Sequence, residues 1–316
     1  MQKIKKRNDI YKESWFTTVS KDFKRNRTIY LLLIPVLLYY IMFHYAPMYG
    51  SVIAFQNFKP QKGILGSDFV GLMHFKNFFN SPFFGRILFN TLRISFASII
   101  FGFPAPIILA LLLNELKVPR FAKVVQNITY MPHFISLVVI CSLIREFTLD
   151  TGVINYILGF FGFTPTSLLN FPQYFTTVYV ASGIWQEIGW GSIIYLAALS
   201  GINDELYNAA AIDGAGRGHM LLHVTLPGIA PTIVIMFILK IGSMMSLGSE
   251  KIILMYNDLI MDKADVISSY VYRLAFGNSP DYGFSTAVNL FNMVINVILL
   301  VSANYISGRL SETSLW

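Results

Sequence analysis

The sequence predicts an all-α integral membrane protein with six transmembrane helices, on three observations. Hydrophobic residues make up 54% of the 316-residue chain and charged residues only 13%, against about 25% charged in an average soluble domain. The apolar residues fall in long blocks and not in amphipathic alternation. Six of these blocks reach the roughly 20 residues that a helix needs to cross the hydrocarbon core. Transmembrane barrels alternate apolar and polar residues in segments of about 10; these blocks do not, so helices must satisfy the backbone.

The elements follow in order, oriented by the lysines and arginines, which favour the cytoplasmic side. Residues 1–28 form a basic tail carrying Lys3, Lys5, Lys6, Arg7, Lys12, Lys21, Lys24, Arg25 and Arg27, expected in the cytoplasm. The first apolar block, 29–50, lacks an Ala-x-Ala-like cleavage site and is too long for a removable signal peptide, so it is expected to stay as an anchor. The second block is 90–116. Lys117, Arg120 and Lys123 then mark an inside loop before the third, 124–146. The segment 147–172 has no Lys or Arg and falls outside. The fourth block is 174–201, the polar segment 202–227 lies inside, and blocks 228–247 and 284–306 complete the set. Two regions result: the tail, 1–28, and a six-helix membrane domain, 29–316, with both termini expected in the cytoplasm.

Several functions are excluded or disfavoured. The net charge of +7 needs no nucleic acid, because nine of the cations flank the first helix, where anionic lipid and topology account for them. Cys141 is the single cysteine, which excludes an internal disulfide and a cysteine-type metal site. His219 and His223 share a helical face but have no third ligand, and His44, His74 and His133 are isolated. No Gly-Lys pair occurs, so there is no phosphate loop to cradle ATP; an ATP-driven function must take its ATPase from another chain.

The segment 203–227 has structure of its own. Asn203 is a good N-cap, and Asp204 and Glu205 sit at the positive end of the following helix dipole. An alanine-rich helix over about 204–212 should stop where Gly214 adopts the left-handed conformation. A second short helix is expected at about 217–224, with Thr225 and Pro227 starting the next membrane helix. A hairpin lying on lipid would carry lysines opposite large apolar groups. Here acids and small alanines, with Arg217 after the turn, favour a protein groove.

At this point the residues resemble a known family. Asn208-Ala209-Ala210-Ala211-Ile212-Asp213-Gly214-Ala215, followed by Val224, Leu226 and Pro227, is similar to the EAA loop of permease subunits in binding-protein-dependent ABC importers, which reads Glu-Ala-Ala-x-x-Asp-Gly-Ala and ends Ile-x-Leu-Pro. The similarity extends to Leu-Leu-Leu-Ile-Pro at 31–35, Phe-Val-Gly-Leu at 69–72, Asn77-Phe78 and Met131-Pro132. It is nearest to the oligosaccharide branch of the sugar importers. The resemblance implies the type I ABC importer permease architecture and makes 204–224 a coupling helix that docks on a separate ATPase through Asp204, Glu205, Asn208, Ala209, Ala210, Asp213, Gly214, Ala215 and Arg217. One departure is that Asn208 stands where the family has a glutamate, which makes Asp204 or Glu205 the candidate to supply the acid instead.

A transport pathway needs polar groups inside the membrane, where each is costly in lipid. Arg93, Arg145, Glu146, Glu187, Lys240, Asn289, Asn292 and Asn296 qualify. Arg145 and Glu146 can snorkel near a helix end, and the three asparagines can bond neighbouring helices. On the fourth block Trp185, Gln186, Glu187 and Trp190 combine flat rings with hydrogen-bonding groups, as a sugar requires, although the tryptophans also suit an interfacial belt. The resemblance, counted without gaps from the loop, places Glu187 and Trp190 on one side and Lys240 and Met244 on the other at sugar-contacting positions.

The resemblance further implies a second permease, two ATPase subunits that bind ATP and Mg, and an extracellular solute-binding protein docking near 51–89 and 248–283. No cofactor or metal is expected in this chain. Phe55, Phe58, Phe69, Phe75, Phe78, Phe79, Phe83 and Phe84 suggest that the first outer loop packs as a cap. Two other classes stay open. An ion-coupled secondary transporter would bring internal repeats and broken helices, and no clear repeat is seen; a membrane-embedded enzyme would need paired acids, and Asp204, Glu205 and Asp213 are the only candidates.

Overall fold

The computed structural model describes residues 21–310 and 314–315; the tail cations Lys3, Lys5, Lys6, Arg7 and Lys12 lie outside them. The chain falls into two units divided between Val52 and Ile53. The first contains most of α1 (Arg27–Phe55), which carries Pro35 internally and loosens into a π turn at Ile41–Tyr45.

The second unit opens with a small hairpin, β1 (Gln56–Asn57) antiparallel to β2 (Asp68–Phe69), and α2 (Met73–Phe79). Next comes α3 (Phe84–Asn114), widened to a π turn at Ser98–Gly102 just before Pro104, whose missing N–H cannot continue the regular ladder. Then follow α4 (Pro119–Phe134) and α5 (Leu137–Phe147), α6 (Val153–Gly159) and α7 (Pro172–Leu199). The remainder is α8 (Asp204–Ile212), α9 (Arg217–Gly242), α10 (Ser249–Met255), α11 (Ile267–Phe276) and α12 (Tyr282–Arg309).

All six expected blocks correspond to helix, with three corrections. Among the described residues α1, α3, α9 and α12 are long and apolar enough to cross a membrane, and α4 with α5 passes only as a pair bent by 104°. The block 124–146 is therefore broken: Pro132 closes α4 in a 3-10 turn, and Ser136 starts a new helix by accepting from the Val139 N–H. Secondly, α7 spans 28 residues, but Gln186, Glu187 and its serines and glycines keep it outside that apolar set. Thirdly, the helix expected at 217–224 is not separate. Residues 217–225 run through a π turn straight into the membrane helix, which ends at Gly242, before the expected 247.

At the centre α7 packs on α3, α4 and α9, while α12 packs on α9, α11 and α2. Ile107, Ala110, Tyr195, Leu199 and Ile229 form one core near α8. A larger one, including Ile94, Ile140, Phe175 and Ile252, lies at the opposite end. There the expected aromatic cap is present: the Phe78 ring meets Phe79, Phe84, Phe284 and Phe291, and Phe55 meets Phe75. Phe69 stays exposed.

The 248–281 segment is fastened to α3 by polar contacts. Asn90 donates to the carbonyls of Asp262 and Asp265, Arg86 pairs with Asp262 at 2.8 Å, and Arg93, expected as a pathway residue, donates to the Lys263 carbonyl. The fully buried Asp265 carboxylate receives a two-pronged Arg273 guanidinium, at 2.7 and 2.6 Å, and the Ser269 hydroxyl. Removing one member strands the other, so Asp265→Ala should cost about 3 kcal/mol, read as a lowered melting temperature in detergent; an unchanged melting curve refutes this clamp.

Candidate functional site

At its far end α9 unwinds after Gly242, and the irregular stretch 243–248 leaves a cavity of about 260 Å³ walled by α3, α7, α9 and α10. A second, of about 330 Å³, adjoins it and shares Glu187 and Lys240. Small-molecule sites span about 300–1,000 Å³. The unwound stretch is held in place by Asn296, which accepts from the Met245 N–H and donates to the Ser246 hydroxyl. Where the sequence leads one to expect the α12 asparagines to bond neighbouring helices, Asn296 instead bonds this non-helical stretch, Asn289 is exposed and the buried Asn292 Oδ1 has no hydrogen-bond partner among the described residues.

Of the predicted contact residues, Glu187, Lys240 and Met244 line the first cavity. Met244 sits in the unwound stretch and not on a helix, its carbonyl accepting from Ser95. Trp185 lies elsewhere, in an apolar cavity with Ile144, Phe147 and Leu168, and Gln186 is buried but lines none of the three cavities. Helical periodicity explains part of the split. Residues two apart on a helix point about 200° apart, so Trp185 cannot share the Glu187 face; Trp190, three residues on, lies nearer that face but lines none of the three cavities.

Trp190 is 45% exposed, and its ring stacks on His133 at 4.5 Å with an interplanar angle of 2°. His133 Nδ1 lies 3.0 Å from Glu187 Oε2. Thus His133, isolated in the sequence, is delivered to α7 by the turn that ends α4. The approach is close at Gly189, where a Cβ would collide with the Thr129 carbonyl.

Lys251 was also missed, because in sequence it is an ordinary loop lysine. It lines the same cavity, donates to the Tyr179 carbonyl at 3.1 Å and lies 4.7 Å from the Tyr179 ring centroid. Tyr179, Gly183 and Glu187, at four-residue spacing on α7, bring one helical stripe to this cavity.

At the opposite end, α8 is built as its sequence requires. Asn203 accepts from the Glu205 N–H at 3.0 Å. Gly214 has φ +78°, and the bonds from Gly214 N–H to the Ala211 carbonyl and from Ala215 N–H to the Ala210 carbonyl close the helix in a Schellman motif. Asp204, Glu205, Asn208, Ala209, Asp213, Gly214 and Arg217 are exposed, while Ala210 and Ala215 are half-buried. Ile212 is 86% exposed, an apolar side chain offered on a polar element. One contact the sequence did not signal ties α8 to α9: the Tyr207 and Thr225 hydroxyls lie 3.0 Å apart. His219 and His223 stack on each other, and no metal-holding group occurs among the described residues.

The chain has well-covered relatives. Residues 95–312 match the family described as binding-protein-dependent transport system inner membrane component. Protein LplB of Bacillus subtilis (strain 168) is 42% identical over 304 residues, which is 96% of this chain and 94% of LplB. The polygalacturonan/rhamnogalacturonan transport system permease protein YteP of the same organism is 40% identical over 293 residues, 92% of this chain and 91% of YteP. A solved bacterial alginate ABC transporter, in complex with an alginate pentasaccharide-bound periplasmic protein, contains a chain similar at TM-score 0.85 and 39% identity, over 93% of this chain and 99% of that one.

Proposed function

The chain belongs to the family of binding-protein-dependent transport system inner membrane components, and from that membership we propose that it is the permease subunit of an ATP-driven oligosaccharide importer. The structural observation that carries this reading is the continuity of one exposed docking helix with the walls of a polar cavity. The helix α8 is joined directly to α7 and α9, and those two supply Glu187 and Lys240.

The reading assigns α8 to a groove on a cytoplasmic ATPase, which places both termini of this multi-pass chain in the cytoplasm and the 56–83 and 248–281 segments outside. A second permease completes the pathway, two ATPase subunits hold ATP and Mg, and an extracellular solute-binding protein delivers the sugar. Asp204 and Glu205, both exposed at the start of α8, supply the negative charge that Asn208 does not. Chemistry in this chain is binding and release: Trp190 with His133 offers a flat face to sugar C–H surfaces, and Glu187 and Lys240 exchange hydrogen bonds with hydroxyls. An ion-coupled carrier or a membrane enzyme would leave the exposed α8 without a task.

Reconstitution in vesicles with the partner permease, ATPases and binding protein tests this reading, with ATP-dependent oligosaccharide uptake expected. Trp190→Ala should lower uptake about threefold to tenfold, the worth of one aromatic packing contact. Unchanged uptake of every sugar tried would take Trp190 out of the site, and a chain that retains no ATPase on purification would count against the importer.

A further inference from the structure

We infer that the importer's cavity selects an acidic oligosaccharide, one that carries carboxylates along its chain, and that Lys251 is the group that recognises them. This rests on the importer reading above. Lys251 is only 8% exposed, and among the described residues it makes no ion pair with a carboxylate within 4.0 Å. Its ammonium has three N–H donors, of which one is used on the Tyr179 carbonyl. The Tyr179 ring gives it a second electrostatic contact. A buried charge with so little compensation is costly, and its burial pushes the ammonium down to about 8, which leaves it charged at neutral pH.

The surroundings point to an anion as the missing partner. Lys251 and Lys240 come from different elements, α10 and α9, and both line the cavity with four serines, Ser95, Ser98, Ser243 and Ser246. The cavity's one acid, Glu187, favours the charged form of Lys251 only from beyond ion-pair distance and is itself in hydrogen-bond contact with His133. Two separated cations against one partnered acid suit a chain with a charge on each sugar unit better than a neutral glycan. The ammonium rests against α7 beside Gly183, where a Cβ would lie 3.4 Å from Lys251 Nζ.

The competing role for Lys251 is a tether of α10 to α7, and the two roles separate on substrate. The complete importer, wild type, K251M and K251R, is reconstituted and offered uronic-acid trisaccharides (galacturonate, mannuronate, glucuronate) and their carboxyl-reduced neutral counterparts. Binding-protein-stimulated ATP hydrolysis is followed in parallel. The expected result is uronate uptake by wild type, lost about tenfold or more in K251M, largely kept in K251R, with neutral uptake as in wild type. Equal loss on both sugars makes Lys251 a tether and overturns the inference, as does uptake of neutral sugars only. Uptake of neither while hydrolysis responds to the binding protein overturns the inference alone; with hydrolysis unresponsive, the importer reading falls too. Should K251M not assemble, K251Q, which keeps an N–H donor for the Tyr179 carbonyl, takes its place, with the same uronate-only loss expected and uptake unchanged on both sugars overturning the inference.

Discussion

Gly214→Pro abolishes sugar uptake while the protein still inserts and its partner ATPases still turn over. Gly214 holds φ +78°, which proline, fixed near −65°, cannot adopt, and its N–H closes the end of α8 on the Ala211 carbonyl. Losing both costs about 3 kcal/mol locally, on the order of a hundredfold in the population of the closed cap. The damage stays on an exposed element with no buried residue, so the membrane helices remain. Asp213→Lys tests the surface without touching the backbone: it reverses the charge at the exposed end of α8 and should reduce uptake about tenfold, as for one charge-assisted contact. Uptake, ATP hydrolysis and complex yield are measured on the same preparations. Normal uptake in both variants removes α8 from coupling.

Gly189→Ala is expected to be the most damaging single added methyl group at the contact between α7 and α4. The added carbon meets the backbone carbonyl of Thr129 and the Tyr130 nitrogen, and backbone cannot rotate away as a side chain can. Overpacking costs about 1–3 kcal/mol, and here α4 must part from α7 by the width of the clash. The His133 ring rides on that separation, so both its stack on Trp190 and its contact with Glu187 open. The expected readout is a lowered melting temperature together with a loss of uptake larger than that of Trp190→Ala. A variant as stable and active as wild type would show that the two helices are not in this contact.

What the sequence disclosed and what it withheld divide along local and distant causes. The N-cap at Asn203, the end of α8 and the left-handed Gly214 are decided within a few residues, and each is where side-chain chemistry puts it. The break between α4 and α5 is decided partly at a distance. Pro132 and Ser136 permit a break, and the close approach of Thr129 and Tyr130 to Gly189 on α7 holds the chain just before it. Isolation in sequence misled for His133, whose partner Glu187 is 54 residues away. Hydropathy misled for α9, because it registers the apolar run and not the helix, which already begins in the mixed stretch 217–225 with Arg217, His219 and His223. Trp185 was foreseeable: two residues from Glu187 on a helix, it had to face elsewhere.

The α9 helix, continuous through its π turn, has a mechanical meaning. Arg217 and Lys240 lie roughly 35 Å apart along it at 1.5 Å per residue, so a tilt of about 10° pivoting at one end swings the other by roughly 6 Å. Tyr207, bonded to Thr225, attaches α8 close to the Arg217 end. On the importer reading, a push of about 2 Å at Thr225, roughly 12 Å from the Arg217 end, swings Lys240 by about three times as much, and such a crank would open or shut the cavity with no chain of intermediate rearrangements.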